Sequence, residues 1–292
     1  MDHYDIVFIG HLGKGTIVPF NGSPFVEEAA PVLSASVAAS CLKRRIAVMT
    51  KISQGEEYLL APLKTAGVDL FIYPGRIYRY RVVFPTPNVD QRQHFRENIG
   101  EPFAVSDIPP FEPCLVHFCC IGVPESQMEL MWALKDRGFR ISADIQNFML
   151  KDDGTGAVHL RDVPNKKEIV GMTDFLKLDY SEGKMMTGSD DLQGQADILA
   201  QWGNPEIIIT SSEGILVRSN GKTAFAGFTN RSSEGRMGRG DTVVGSYLAC
   251  RLDHSVKDSV QFAAALTSIK MESAGPFKGS LEDVIKRMNR PF

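Results

Sequence analysis

Short apolar runs without a polar face punctuate this chain. Residues 5–10 (DIVFIG), 45–51, 114–122, 140–145, 174–179 and 206–210 are too brief for free-standing helices and rich in Ile, Val and Phe. That is how strands buried on both faces of a parallel sheet read. Between them lie stretches with apolar residues at helical spacing: 31–42 with Pro31 in its first turn, 56–66 closed by Gly67, 125–136 stopped at Gly138, a start at 181–186, and 242–252. Two more follow near the end, 255–273 with a capping pattern at Ser255 and Asp258, and 280–288 with one at Glu282 and Asp283. The alternation predicts an α/β architecture, a central mostly parallel sheet flanked by helices in three layers.

One region breaks the rhythm. Residues 70–74, 77–84 and 93–96 alternate apolar and polar positions between Pro-rich turns, so one face meets solvent. A small antiparallel β flap is predicted, with lid segments at about 16–28 and 70–97. Arg76, Arg79, Arg81, Arg92 and Arg96 are spread through it, and for any single one a solvated edge explains the charge as well as ligand contact does.

Composition narrows the class. With 43% hydrophobic residues in 292, the chain can bury a substantial core, and one domain over 1–292 is expected. The 32 basic and 35 acidic side chains are interspersed, leaving a net charge of -3, so neither nucleic acid nor an anionic membrane is an expected partner. No apolar run approaches the roughly 18 residues of a membrane helix, and the first residues do not read as a signal peptide. A cytoplasmic protein is expected. Its five cysteines are odd in number, scattered and without a Cys-x-x-Cys pair, so they read as reduced hydrophobes.

The candidate chemistry centres on Gly238-Arg239-Gly240-Asp241, just before the helical run. Glycines there free the backbone to turn, and N–H groups at a helix mouth attract anions. A carboxylate in that place either caps the helix or takes a proton from a hydroxyl that attacks a phosphate. Other strand ends carry polar residues too. Asp179 and Glu182, three apart, suit a helix cap or contact with metal-bound water. Ser211, Ser212 and Gly214 follow the strand that ends at Thr210, where hydroxyls and a glycine suit phosphate or ribose. Gly10, Gly13 and Gly15 offer weak support for a dinucleotide loop. The fingerprint needs a helix opening within the glycines and an acidic residue about 20 positions on, whereas residues 16–20 read as extended.

In this order the features resemble the ribokinase or PfkB carbohydrate kinase family over nearly the whole chain. Residues 237–245 (MGRGDTVVG) are similar to the family signature Thr-Gly-Ala-Gly-Asp-x-Phe-x-x-Gly, with Arg239 where Ala is usual. The resemblance implies a ribokinase-like fold and an ATP-dependent phosphotransferase acting on an alcohol, with Mg²⁺. It implies Asp241 as the base and Gly238, Arg239 and Gly240 as part of an anion hole. Asp179 and Glu182 correspond to an Asn-x-x-Glu motif that helps place Mg²⁺ through water. Thr210, Ser212, Gly214 and, at the end of a C-terminal helix, Gly275 correspond to nucleotide contacts. A homodimer through the lid is also implied.

The acceptor side departs from the pattern. An Asp that holds substrate hydroxyls is missing from residues 13–15, and Ala29-Ala30 and Ser34 stand for a Gly-Gly pair and an Asn. Gly15, Ala30 and Ser34 are therefore the candidate substrate contacts, and the acceptor is expected to be a sugar, inositol or similar polyol, or a nucleoside. A non-catalytic polyol- or nucleotide-binding protein on a kinase scaffold, and an NAD-linked enzyme built on Gly10 to Gly15, are the alternatives from other classes.

Overall fold

The computed structural model describes residues 2–28, 30–88, 91–119, 122–203 and 205–289. In chain order its strands are β1 (Ile6–Ile9), β2 (Gly13–Val18), β3 (Phe25–Glu27), β4 (Ile46–Ile52), β5 (Asp69–Pro74), β6 (Tyr78–Val83), β7 (Gln93–Asn98) and β8 (Leu115–Phe118). They continue with β9 (Arg140–Asp144), β10 (Leu150–Asp152), β11 (Ala157–Leu160), β12 (Phe175–Asp179), β13 (Glu206–Thr210), β14 (Gly214–Ser219) and β15 (Lys222–Gly227).

The main sheet runs β15-β14-β13-β12-β9-β8-β1-β4-β5. From β13 to β5 every neighbour is parallel, and β14 and β15 close the other edge as antiparallel strands. Side-chain alternation divides its strands between two cores. Val7 and Ile9 of β1 join the cluster under helices Pro124–Asp136, Lys166–Met172 and Leu192–Ala200. Ile6 and Phe8 join the cluster under helices Pro31–Ser40, Arg239–Arg251 and Val256–Met271. Both faces of each central strand are thus buried, which is why the sequence shows unbroken apolar runs. Each such side chain contributes on the order of 1.5–3 kcal/mol. The fold is ribokinase-like, with helices on both faces of the sheet.

A second sheet, ordered β10-β11-β7-β6-β2-β3, stands beside the first. Its composition corrects two boundaries of the expected flap. Residues 70–74 belong to β5, which pairs in parallel with β4 at the edge of the main sheet. An edge strand exposes one face, so its alternation imitates that of a flap strand. The hairpin β10–β11 completes the smaller sheet through Ala157↔Phe95 and Val158↔His94, which its short, polar, Gly-interrupted sequence does not announce. The stretch 56–66 is a 3-10 turn, Glu57–Leu60, followed by a short helix, Ala61–Thr65, rather than one helix.

The first glycine loop also settles. β1 leads into β2 and then β3, and the next helix begins only at Pro31, so Gly10, Gly13 and Gly15 do not open a helix as a dinucleotide loop requires. Instead, a Cβ on Gly10 would come within 2.9 Å of both Val32 and Cys119 side chains, which makes that glycine a packing requirement.

Candidate active site

The helix Arg239–Arg251 opens at Gly238, whose φ of +77° is a conformation that L side chains rarely adopt. Its mouth is seated by close contact. A Cβ at Gly238 would lie 2.4 Å from Ser34 Oγ, and one at Gly245 would lie 2.0 Å from the Ala35 carbonyl oxygen. Helix Pro31–Ser40 therefore fixes both the axis and the entrance of the second helix. Asp241 falls in the first turn, where the helix dipole favours a carboxylate.

Beneath that turn lies Lys177 of β12. A Cβ at Gly240 would come within 2.9 Å of its Nζ, so only glycine lets the backbone approach the ammonium so closely. Lys177 is buried and donates to Asp144 Oδ2 at 2.8 Å. Burial alone would lower its pKa, yet Asp144, Glu182, Asp241 and Asp179 together hold it above its ordinary value, so it stays charged. Burial pushes the Asp241 carboxyl up to about 6 against the pull of Lys177. A group poised there is ionised at neutral pH and still basic enough to accept a proton.

Polar contacts extend from this pair to the next strand end. The Gln146 N–H donates to Asp144 Oδ1 at 2.9 Å, and Gln146 Nε2 donates to Glu182 Oε1 at 3.1 Å. Asp179 and Glu182 form a capping box on helix Tyr180–Thr187: Glu182 N–H to Asp179 Oδ1 at 2.9 Å, Asp179 N–H to Glu182 Oε2 at 2.7 Å. Burial and the neighbouring Asp179 raise the Glu182 pKa.

Two connected cavities meet at these residues. The smaller, about 160 Å³, is lined by Asp241 and its loop, Lys177, Ala30, Ser34 and, from the smaller sheet, Tyr78, Tyr80 and His94. The larger, about 730 Å³, is lined by Arg92, Arg236 and Arg239 together with Thr210, Ser211, Ser212, Asp179 and Glu182. The arginines, His94, Asp179 and Thr210 border both. Histidines on the smaller side are neutral: burial takes His11 and His94 down to about 4. His11 Nε2 lies 2.6 Å from the Glu101 carbonyl oxygen, which places the ring proton on that nitrogen.

A half-buried carboxylate at a helix mouth, near arginines at the ends of parallel strands, is an arrangement that can receive an anion and a hydroxyl. No family model matches the chain. A cytidine kinase of Thermococcus kodakarensis is 26% identical over 257 residues, covering 84% of this chain and 87% of the relative. Among solved structures, a sulfate complex of a pyrophosphate-dependent kinase in the ribokinase family is 28% identical, covers 96% of this chain and 99% of that one, and superposes with a TM-score of 0.86. A structure describing the conversion of a pyrophosphate-dependent myo-inositol-1 kinase into a myo-inositol-3 kinase follows at 26% identity, 97% and 98% coverage, and a TM-score of 0.84. The chain is similar to kinases of the ribokinase family and shares their fold.

On this ribokinase-like fold the structure brings together Gly238, Arg239, Gly240, Asp241, Ala30 and Ser34 around the smaller cavity, and Thr210, Ser212, Asp179 and Glu182 around the larger. Three expected contacts are not brought in. Gly15 pairs within the smaller sheet, and a Cβ there would lie 2.2 Å from the Tyr80 ring; the glycine makes room for Tyr80, which lines the cavity instead. Gly214 is locked in the β14–β15 ladder opposite Gly227, and Gly275 turns the chain after helix Val256–Met271; neither lines a cavity. Ala29 lies outside the described residues.

Sequence reasoning passed over Lys177, Tyr80 and His94, and marked Asp144 and Gln146 only as the polar end of a strand on the ligand side of the sheet. One signal was available for Lys177, a lone charge inside the apolar strand FLKLD. The capping alternative for Asp179 and Glu182 is what the hydrogen bonds show, and among the described residues no group of three or more His, Cys, Asp or Glu side chains gathers to hold a metal ion.

Proposed function

We propose that this small-molecule kinase transfers a phosphoryl group to a hydroxyl of a compact polyol, an inositol or a sugar, with inorganic pyrophosphate as donor. The observation that carries the reading is the approach of Arg92, Arg236 and Arg239 to the mouth of the helix that bears Asp241. Guanidinium groups bind phosphate oxygens in a forked geometry, and a donor that is all phosphate can engage several at once. Arg239 replaces an alanine of the family signature at the anion hole itself. Two similar solved kinases are named as pyrophosphate-dependent, which supports the same donor here.

In this reading the acceptor lies in the smaller cavity, which is below the usual size of pockets for drug-sized ligands and so favours a single ring. Asp241 takes the proton of the attacking hydroxyl, and the hydroxyl oxygen bonds to the phosphorus as the bond to the leaving phosphate breaks. The N–H groups of residues 238–241 and Lys177 offset charge on the transferring group. The smaller sheet acts as the lid, contributing Tyr78, Tyr80 and His94.

Magnesium fits this site in a restricted way. The capping box occupies Asp179 Oδ1 and Glu182 Oε2, and Gln146 occupies Glu182 Oε1, so these residues would hold Mg²⁺ through water, together with phosphate oxygens of the donor. When bound, the ion neutralises phosphate charge. ATP as donor is the second reading, favoured by Thr210 and Ser212 on the larger cavity. A nucleoside acceptor is the corresponding second reading on the other side, prompted by the cytidine kinase relative.

The test is a matrix of donors (pyrophosphate, ATP) against acceptors (inositols, sugars, cytidine), followed by phosphorus NMR, with Asp241→Asn as control. Transfer from pyrophosphate to a polyol that Asp241→Asn abolishes is expected. Transfer from ATP alone, or binding without product throughout, would replace the proposal.

A further inference from the structure

Another buried lysine near the helix mouth has no part in the reaction just described. Lys270, in the last turn of helix Val256–Met271, is 2% exposed, and its ammonium donates to the main-chain carbonyl oxygens of Gly235 and Met237. Those two carbonyls belong to the turn that delivers the chain to Gly238. Its Nζ would lie 3.8 Å from a Cβ at Gly238.

The whole connection between β15 and the helix mouth is stitched to this helix end. The Thr229 N–H donates to Ser268 Oγ at 2.9 Å, the Arg231 N–H to Glu272 Oε1 at 3.0 Å, and the Gly235 N–H to the Met271 carbonyl oxygen at 2.8 Å. These bonds use N–H groups of the connection. Arg287 Nη1 donates to the Thr229 carbonyl oxygen at 2.9 Å, and Lys270 supplies the positive charge for the carbonyl oxygens of Gly235 and Met237 beside the negative end of its helix. Glu27 of β3 and Asp241 face it with the same sign as those dipoles, while Lys278 opposes it.

From this we infer that Lys270 is a positioning residue acting as a built-in monovalent cation, one that holds the 235–238 turn and with it the anion hole. Carbonyl oxygens converging on one buried point make a cation site, and in this chain the cation is covalently attached. Two consequences distinguish such a role from ordinary packing. The wild-type protein needs no dissolved monovalent cation, and removal of the side chain creates a need for one.

The inference rests on the kinase reading for its activity readout, so the experiment carries a second readout that does not. Wild type and Lys270→Ala are compared in choline, sodium, potassium and ammonium chloride at equal ionic strength, by phosphoryl transfer and by thermal unfolding. Wild-type turnover and melting temperature are expected to be the same in choline and ammonium salts. Lys270→Ala is expected to lose turnover by roughly 10- to 100-fold in choline, the scale of a pair of charge-assisted hydrogen bonds. Both turnover and melting temperature should then recover in ammonium or potassium. If Lys270→Ala does not fold in choline, refolding in ammonium chloride is the same test. Stimulation of wild type by potassium, undiminished turnover in the variant, or loss that no cation relieves overturns the inference. If no acceptor is phosphorylated at all, the kinase reading fails, and the salt dependence of melting alone decides the role of Lys270.

Discussion

Lys177 and Asp144 form an ion pair at 2.8 Å with side chains only 6% and 3% exposed, directly beneath the backbone of Gly240. Removing one partner of such a pair leaves the other charge buried and uncompensated, which typically costs about 3–5 kcal/mol. Lys177→Met should therefore destabilise the protein by that order in chemical denaturation, and Lys177→Met/Asp144→Leu by clearly less. Equal losses in the single and double variants would show that the pair is not what the site depends on.

The rate should depend on pH through two groups of opposite requirement. Asp241 accepts a proton only as a carboxylate, and its pKa is raised to about 6, so turnover rises as pH climbs through that value. Lys270 holds the turn only as an ammonium. Burial lowers its pKa to about 8, with Glu27 and Asp241 resisting and Lys278 assisting, so turnover falls again as pH passes that value. A bell-shaped profile is expected, and a level one would contradict both assignments. Asp241→Asn should lower turnover by roughly 10²–10⁴-fold above that pH and remove the acidic limb of the profile.

The donor assignment predicts an asymmetric loss. Arg239→Ala should raise the KM for pyrophosphate by roughly 10- to 100-fold, the worth of a charge-assisted contact, while the acceptor KM changes little. Steady-state kinetics with each substrate varied in turn measures this. A change confined to the acceptor would move Arg239 to the other cavity.

Gly15 is predicted to act on the acceptor at one remove. A methyl group there would lie 2.2 Å from the Tyr80 ring, so Gly15→Ala must displace a side chain that lines the smaller cavity. The acceptor KM should rise with the donor KM unaltered. Unchanged kinetics would mean that Tyr80 does not touch the acceptor.

The smaller sheet ends at β3, which pairs with β2 alone among the described strands and leaves Phe25 and Val26 52% and 57% exposed. An uncovered edge with apolar side chains invites a second copy. Sedimentation is expected to find a dimer that Val26→Lys dissociates; a wild-type monomer would refute this.

Much of this protein was written locally. The short, largely apolar runs of β1, β9, β12 and β13 announce strands buried on both faces, because that burial leaves no room for a polar face. Gly238 to Asp241 announces a helix mouth because turn, cap and dipole all depend on residues adjacent in sequence. What the sequence could not reveal depends on distance along the chain. Asp144 meets Lys177 across 33 positions, and Lys270 meets the Gly235 carbonyl across 35. Gly15 is needed because of Tyr80 on a strand 65 residues later (80 minus 15), and the hairpin β10–β11 is a sheet edge only because β7 receives it. Periodicity and capping are properties of neighbours, so the sequence determined the strands and the helix mouth. Which charges stand beneath that mouth, and which face of the smaller sheet closes over it, only packing between distant segments decided.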